Sequence, residues 1–368
     1  YRFIWDGRMI LKGLNPYLSL PETFINQGNL PINQATDLYL GMGALNGSHY
    51  TNYPPINQLN FFIAALFTNS SIIGSIIVLR LQIILADIGI IYFGKKILEK
   101  LKLPVHNIFL YALNPFIIIE LTGNLHFESV MIFFLVWSLY LLLQKKWSFA
   151  ALTFGLSVSV KLIPLLFLPL FYQWFTKENR TKGVLRFISF GMTIVLINIL
   201  LFLPFLSSNL MNNYLDSIGL WFQKFEFNAS LYYIARELGT LFRGYNEIAI
   251  IGKITPVIVL IFLFIITFFR KNKSPQQLIT ALLMGISFYY FTTTTMHPWY
   301  LATLVILSVF TNYRFPIIWS LVVVLSYQAY ANTPWKENIW FMVVEYLVVY
   351  GYLFWEIIQQ KRSALSIK

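Results

Sequence analysis

Long apolar runs, separated by short polar turns, dominate the chain after residue 70. In windows of about 19 residues, they fall near 72–94, 105–121, 128–144, 147–160, 162–175, 183–206, 247–269, 276–292, 298–312, 315–331 and 337–358. A helix needs about 20 apolar residues to cross a bilayer. The pattern therefore predicts an all-α polytopic membrane helix bundle, with about eleven membrane segments in a single domain, 1–368. Because the chain opens at Tyr1 in a polar, aromatic stretch, we expect one more membrane segment upstream.

The composition supports this prediction and excludes other classes of protein. Hydrophobic residues make up 57% of the chain and charged residues only 11%, and the mean hydropathy is +0.65. Soluble proteins carry about a quarter charged residues, so a soluble enzyme, a disordered protein and a nucleic-acid-binding domain are excluded. The chain has no cysteine, which removes disulfides, thiolate metal ligands and cysteine nucleophiles.

The net charge of +12 indicates topology more than a binding patch. If 147–160 and 162–175 form a short hairpin, most Lys and Arg residues share one side of the membrane. They are Lys95, Lys96, Lys100, Lys102, Lys145, Lys146, Lys177, Arg180, Lys182, Arg186, Arg270, Lys271, Lys273, Arg314, Lys361, Arg362 and Lys368. Loops rich in Lys and Arg stay in the cytoplasm, so we assign that side to the cytoplasm.

Because consecutive segments cross the membrane in opposite directions, this assignment places 1–70, 122–127, 207–246, 293–297 and 332–336 outside the cytoplasm. We expect the functional residues to lie in these stretches. The two long stretches, the first extracytoplasmic loop at 1–70 and a second at 207–246, are rich in Asn, Tyr, Pro, Gly and Trp. Within the first loop, 59–67 is apolar but too short to span a bilayer. It predicts an interfacial or re-entrant helix.

Ionisable groups inside apolar segments are costly and are therefore functional candidates. Arg80 and Asp87 lie two turns apart on one helix face, and we favour a structural role for them. Lys161 lies at the outer tip of the short hairpin. It can extend its amine into the interface or bind a lipid phosphate, and both readings stay open.

Two histidines stand at outer corners of the predicted bundle. His297 precedes Pro298 at a helix start, where exposed N–H groups attract anions, so it is a candidate phosphate ligand or simply a capping residue. His126 and Glu128 share a very short outer loop. They could bind sugar hydroxyls or orient an acceptor, or they could be solvated loop residues.

The N-terminal stretch has the densest chemistry. Asp6 is flanked by Arg2 and Arg8, which favour its ionised form. An ionised carboxylate among aromatic rings suits a base that deprotonates a hydroxyl, and nearby cations suit a phosphate leaving group. A simple surface salt bridge is the alternative.

Several motifs in order resemble the GT-C superfamily of membrane glycosyltransferases, and within it the bacterial polyprenyl-phosphate-mannose-dependent mannosyltransferases. They are YRFIWDGRMILKGLNPY at 1–17, TNYPPINQL at 51–59, NPFIIIELTGNLHFE at 114–128, SVSVKLIPLLFLPL at 157–170, FNASLYYIAR at 227–236 and HPWYL at 297–301. The resemblance implies about a dozen helices, an active site at the extracytoplasmic face, a lipid-phosphate sugar donor and inverting transfer.

The resemblance also implies roles for individual residues. A first-loop aspartate would be the general base; Asp6 is the candidate present, although such enzymes often carry an acidic residue just before the Tyr-Arg-Phe element. The residues expected at the donor phosphate are Arg2, Arg8, Lys161 and His297. Those expected around the sugar or acceptor are Tyr17, His126, Glu128, Asn228, Tyr232 and Tyr300. No cofactor and no metal site is expected.

The sequence thus predicts a hexosyltransferase, with mannose as the expected sugar, in a bacterial plasma (inner) membrane with its site facing outward. Its partners would be a polyprenyl-phosphate sugar, a glycan or glycolipid acceptor and membrane lipids, with no nucleic acid. The alternative is a lipid-linked oligosaccharide flippase or polymerase. A flippase predicts that Arg80 and Asp87 matter most, whereas a transferase predicts that outer-loop residues dominate.

Overall fold

The computed structural model describes residues 1–223, 225–332 and 335–366, and Lys368 lies outside this range. The chain is 78% helical, and the described residues form no strand beyond one isolated bridge between Phe227 and Thr295. All eleven predicted apolar runs overlap helices. The all-α prediction is therefore confirmed.

Eighteen α-helices follow one another along the described chain. They are α1 (Arg2–Leu11), α2 (Pro21–Asn26), α3 (Ala35–Gly47), α4 (Pro55–Thr68), α5 (Ile72–Leu101), α6 (Phe109–Ala112), α7 (Pro115–Ile117), α8 (Glu128–Leu143), α9 (Trp147–Val160), α10 (Tyr172–Thr176), α11 (Arg180–Phe202), α12 (Leu210–Gln223), α13 (Leu231–Arg243), α14 (Ile248–Phe269), α15 (Pro275–Thr292), α16 (Leu301–Val309), α17 (Phe315–Val322) and α18 (Ile339–Ser366). Short 3-10 helices occupy Val105–Ile108, Ile163–Phe171, Leu203–Phe205, Pro298–Tyr300 and Val323–Ala331, and a π-helical turn occupies Ile118–Gly123.

Among the described residues, four helices are long and apolar enough to cross a membrane: Ile72–Leu101, Arg180–Phe205, Ile248–Phe269 and Ile339–Arg362. A fifth span results if Val105–Ala112 and Pro115–Gly123, which are bent by 48°, count as one broken helix. The expectation of about eleven crossings is not confirmed. Five further apolar helices have only 10–17 residues, whereas a full crossing takes about 20.

The chain divides into two compact units. The first comprises 1–92, 121–165 and 189–221, and the second comprises 93–120, 166–188 and 222–368. A helix, α4, stands where the sequence predicts an interfacial segment at 59–67; its depth in the membrane stays a prediction.

Close helix contacts hold the first unit together. A Cβ atom on Gly7 would lie 2.1 Å from the backbone oxygen of Phe61, so only glycine lets α1 approach α4 this closely. Helices α8 and α9 pack against each other, and Ser157 Oγ donates to the Met131 carbonyl at 2.7 Å. The backbone N–H of Ile56 donates to Ser159 Oγ at 3.2 Å. These contacts place α1, α4, α8 and α9 in one packed group.

The two charged residues in the apolar stretch 72–94 of α5, Arg80 and Asp87, have local partners in the first unit. Arg80 donates to the carbonyls of Thr122 (2.9 Å) and Gly123 (3.1 Å). Asp87 Oδ1 accepts from Ser129 Oγ at 2.8 Å. Both side chains tie α5 to the segment around α8, which agrees with the structural role that the sequence favours.

The second unit is centred on α16, in which every residue is buried. Glu356 of α18 accepts from the backbone N–H groups of Arg314 (2.6 Å) and Phe315 (3.0 Å), which caps the first turn of α17. Asn114 Nδ2 donates to Ser320 Oγ at 2.9 Å. The 3-10 helix Ile163–Phe171 and α10 replace the single second arm predicted at 162–175.

We expect Gly7→Ala to destabilise the protein by about 3 kcal/mol, because the added methyl overlaps backbone and cannot be absorbed by a rotamer change. The thermal midpoint of the purified protein in detergent measures the effect. Gly219→Ala in α12 is the matched control, since nothing lies within 4 Å of its Cβ position and Ala favours a helix. Equal midpoints for the two variants would contradict the close packing of α1 on α4.

Candidate active site

Helix α1 carries an arginine and a carboxylate one turn apart. Arg2 Nε donates to Asp6 Oδ1 at 2.9 Å, and both side chains are buried. Arg2 Nη1 also donates to the carbonyls of Asn46 (2.6 Å) and His49 (3.0 Å). The guanidinium therefore ties α1 to the end of α3 and fixes one oxygen of the carboxylate.

A glutamine from α4 fixes the other oxygen. Gln58 Nε2 donates to Asp6 Oδ2 and to Thr51 Oγ1, both at 3.1 Å. Gln58 is itself fully buried, and its Oε1 atom has no hydrogen-bond partner among the described residues. An ionised carboxylate offers about four acceptor positions, and Arg2 and Gln58 occupy two of those on Asp6.

The hydrogen bonds of Arg8 go to the segment before α3 and not to Asp6, which Arg8 flanks in the sequence. Its Nη1 atom donates to the Asn33 carbonyl at 2.6 Å, and both terminal nitrogens lie 3.3 Å from Gln34 Oε1. A residue two positions further along a helix points to a different face, so Arg8 reaches the segment before α3 instead.

An aromatic cluster adjoins this network. The rings of Phe3 and Phe61 stack with centroids 4.6 Å apart. Tyr53 and Phe127 meet the Phe3 ring edge-on at 5.1 and 5.7 Å. Phe127 directly precedes Glu128, so the cluster links α1 and α4 to the start of α8.

Tyr53 lies within electrostatic reach of both carboxylates. Burial raises the pKa of its hydroxyl, the charges of Asp6 and Glu128 raise it further, and Arg2 opposes them. The fully buried Tyr17 donates its hydroxyl to the Tyr53 carbonyl at 2.6 Å. Tyr17, predicted at the sugar or acceptor, therefore positions the Tyr53 loop in this structure.

Glu128 and Lys161 form an ion pair. Glu128 is the first residue of α8, and Lys161 follows the last residue of α9. The Glu128 side chain is 1% exposed and that of Lys161 18%, and Glu128 Oε2 has no hydrogen-bond partner among the described residues. The predicted phosphate ligand and the predicted sugar ligand are thus brought together. His126 lies half-buried just before them.

In the second unit, Asn228 anchors the loop that precedes α13. Its backbone N–H donates to Glu337 Oε1 at 2.6 Å, and its Nδ2 atom donates to Glu345 Oε1 at 3.1 Å. Its carbonyl accepts from the Tyr346 hydroxyl at 2.6 Å. The residue is fully buried, at a left-handed φ of 44°, and Asn tolerates that conformation better than most residues. These bonds hold the loop in place.

Tyr232 belongs to a second polar group near that loop. Its hydroxyl donates to Glu226 and to Asn246, and Arg236 Nη1 donates to Glu226 Oε2 at 2.7 Å. Burial acts to raise the pKa of Glu226, but the hydrogen bonds from Tyr232, Asn246 and Arg236 outweigh it and lower that pKa. Glu226 is therefore ionised at neutral pH.

His297 is packed among aromatic rings. It stacks on Trp299 with centroids 4.4 Å apart and lies 5.3 Å from the Phe227 ring. Tyr300 meets it edge-on at 5.5 Å and stacks on Tyr290 at 5.8 Å. The imidazole is thus held beside the Asn228 loop, which the bridge between Phe227 and Thr295 also fixes.

Sequence reasoning missed several residues of these networks. Asn57 is fully buried with no hydrogen-bond partner for either amide atom among the described residues, and it adjoins Gln58. Two consecutive amides in the first turn of the apolar helix α4 are a signal that could have found them, since buried polar groups are costly. Glu337 carries no such signal, because its partner lies 109 residues away.

The first unit's networks fall inside a recognisable family domain. Residues 1–177 match the model of the MptA/B family, alpha-(1->6)-mannopyranosyltransferase, N-terminal domain. No curated protein shows significant similarity to the chain. Asp6, Glu128 and Lys161 all lie within the matched range, and the family supports mannosyl transfer. Residues 1–177 are therefore similar to the N-terminal domain of alpha-(1->6)-mannopyranosyltransferases, which supports the resemblance of the chain to membrane mannosyltransferases.

Proposed function

We propose that the protein is an inverting glycosyltransferase of the GT-C type that moves mannose from a polyprenyl-phosphate carrier to a glycan or glycolipid hydroxyl. The reaction takes place at the outer face of a bacterial inner membrane. The observation that carries the proposal is the match of 1–177 to a mannosyltransferase domain, because that range encloses the buried Asp6 network and the Glu128–Lys161 pair.

The proposed step is an in-line displacement at the anomeric carbon. The acceptor oxygen forms a bond to that carbon, the bond from carbon to the phosphate oxygen breaks, and the acceptor proton passes to Asp6. The leaving group is the polyprenyl phosphate. A positioned carboxylate base contributes about 10²–10⁴-fold to such a step.

The remaining residues support this step in the proposal. Lys161 offers an ammonium to the donor phosphate and is held by Glu128. Arg2 holds the base in place. Asn228, Tyr232, Tyr300 and His297 belong to the second unit, and their roles at the sugar, acceptor or phosphate stay predictions.

The flippase alternative receives less support from the contacts of α5. It requires charged groups that serve a path through the membrane, whereas Arg80 is bound to two carbonyls and Asp87 to a serine. Groups held in this way contribute to helix packing. In the proposed transferase, Asp6, Glu128 and Lys161 lie within the first 177 residues, the range that matches the family domain.

We expect Asp6→Asn to reduce mannosyl transfer by about 10²-fold or more, because the amide cannot accept the proton. Membranes containing the full chain, radiolabelled polyprenyl-phosphate mannose and an acceptor-lipid extract provide the assay. Asp37→Asn is the matched control, since Asp37 is exposed in α3 of the same loop. Undiminished transfer by the Asp6 variant would remove Asp6 as the base, and no transfer by the wild type would refute the proposed donor.

For the Glu128–Lys161 ion pair we expect different effects on thermal stability and on mannosyl transfer. Lys161→Met leaves the buried Glu128 charge without its partner, which costs about 3 kcal/mol. The double change Glu128→Gln with Lys161→Met removes that charge, so the thermal midpoint should recover while transfer stays lost. A double variant that transfers mannose at the wild-type rate would show that the pair is only structural.

A further inference from the structure

A basic cavity lies in the second unit, and none of its lining residues has a part in the proposed mannosyl transfer. Its volume is about 490 Å³. Arg180, Arg270, Lys271 and Lys273 line it, and its lining includes no carboxylate. Phe268 and Phe269 supply an apolar wall.

Hydrogen bonds fix the turn that carries three of these cations. Gln173 Nε2 donates to the carbonyls of Thr267 (2.6 Å) and Arg270 (2.7 Å), and its Oε1 atom accepts from the backbone N–H of Asn272 at 3.0 Å. Asn272 is fully buried and donates to the Ile266 carbonyl at 2.7 Å. The turn that forms this wall of the cavity is therefore held in place by side-chain hydrogen bonds.

Hydrogen bonds from one nitrogen, Nη1, orient the Arg270 guanidinium. Nη1 donates to Asn272 Oδ1 at 2.6 Å and to the Gln277 carbonyl at 2.8 Å. Within the described part of the chain, its hydrogen bonds all start from Nη1, which leaves the donors on Nε and Nη2 available. Two adjacent guanidinium donors match the geometry of a phosphate group.

The cavity lies at the ends of two membrane-capable helices. The span Ile248–Phe269 ends at Phe269, and the span Arg180–Phe205 begins at Arg180. Phe268 is 48% exposed and Phe269 79% exposed. Phosphate groups of phospholipids lie at this boundary, and the acyl chains begin beside them.

We propose that this cavity binds the phosphate headgroup of an anionic phospholipid from the surrounding membrane. Basic pockets between membrane helices suit such headgroups, and the volume falls within the range of about 300–1,000 Å³ typical of ligand sites. Inorganic phosphate shares the anionic chemistry but has no chain to contact the two phenylalanines. The proposal does not depend on the proposed transferase function.

Calorimetric titration of the purified full chain in neutral detergent tests the site. The probes are short-chain phosphatidylglycerol, short-chain phosphatidylcholine and inorganic phosphate. We expect phosphatidylglycerol to bind at least about tenfold more tightly than either of the others. Lys271→Gln with Lys273→Gln should weaken that binding by about tenfold or more, because each cation near an anionic headgroup contributes about a factor of five.

Lys95→Gln with Lys100→Gln is the matched control. It removes the same charge from another exposed stretch and should leave binding unchanged. Phe269→Ser should weaken phosphatidylglycerol binding and leave inorganic phosphate unaffected. Equal binding of the two lipids, or equal losses in the two lysine pairs, would overturn the site; phosphate binding as tight as that of phosphatidylglycerol would overturn its assignment to a lipid.

Discussion

A carboxylate removed from water determines much of how the first unit is built. An ionised group in the interior is tolerated only when charge and hydrogen bonds compensate for its lost hydration. Asp6 obtains both, from Arg2 on its own helix and from Gln58 on α4. Because Arg2 also binds the carbonyls of residues 46 and 49, the same compensation fixes the long loop over α1. Gly7, one residue further on, brings α4 close enough for Gln58 to reach.

The same rule explains why the polar groups of this protein occur as connected sets. Glu128 is paired with Lys161, and Glu226 is held by three donors. Glu345, which is fully buried in α18, receives hydrogen bonds from Trp319 and Asn228. Each set crosses from one helix or loop to another, so satisfying a buried carboxylate also selects a helix arrangement. In an apolar bundle, hydrophobic surfaces can pack against many neighbouring helices. Hydrogen bonds of this kind therefore determine which helices pack together.

The predictable part of the molecule is the part that local sequence determines. Apolar runs identify the helices because hydrophobicity and helix formation are read over neighbouring residues. Arg2, which flanks Asp6 in the sequence, is also its partner in the structure. The long-range partners could not be found in this way: Gln58 is 52 residues from Asp6, and Glu345 is 117 from Asn228. The predicted number of crossings is not confirmed, for a different reason. Hydropathy marks apolar helices but not whether a helix of 14 or 16 residues, such as α9 or α8, reaches across a bilayer.

Charge balance connects the Asp6 network to the proposed reaction. Arg2 and Lys161 carry two positive charges against those of Asp6 and Glu128, so the set is neutral before a donor binds. A polyprenyl-phosphate sugar is a phosphodiester with one negative charge, and its departure as a phosphate monoester develops a second. In the same step, Asp6 accepts the acceptor's proton and loses its charge. The cation that had compensated Asp6 is Arg2, and its charge is then unopposed at the moment when the leaving phosphate gains its own. In the proposed reaction, one ion pair therefore serves two purposes: it holds the base in place before transfer and provides positive charge for the leaving group during it.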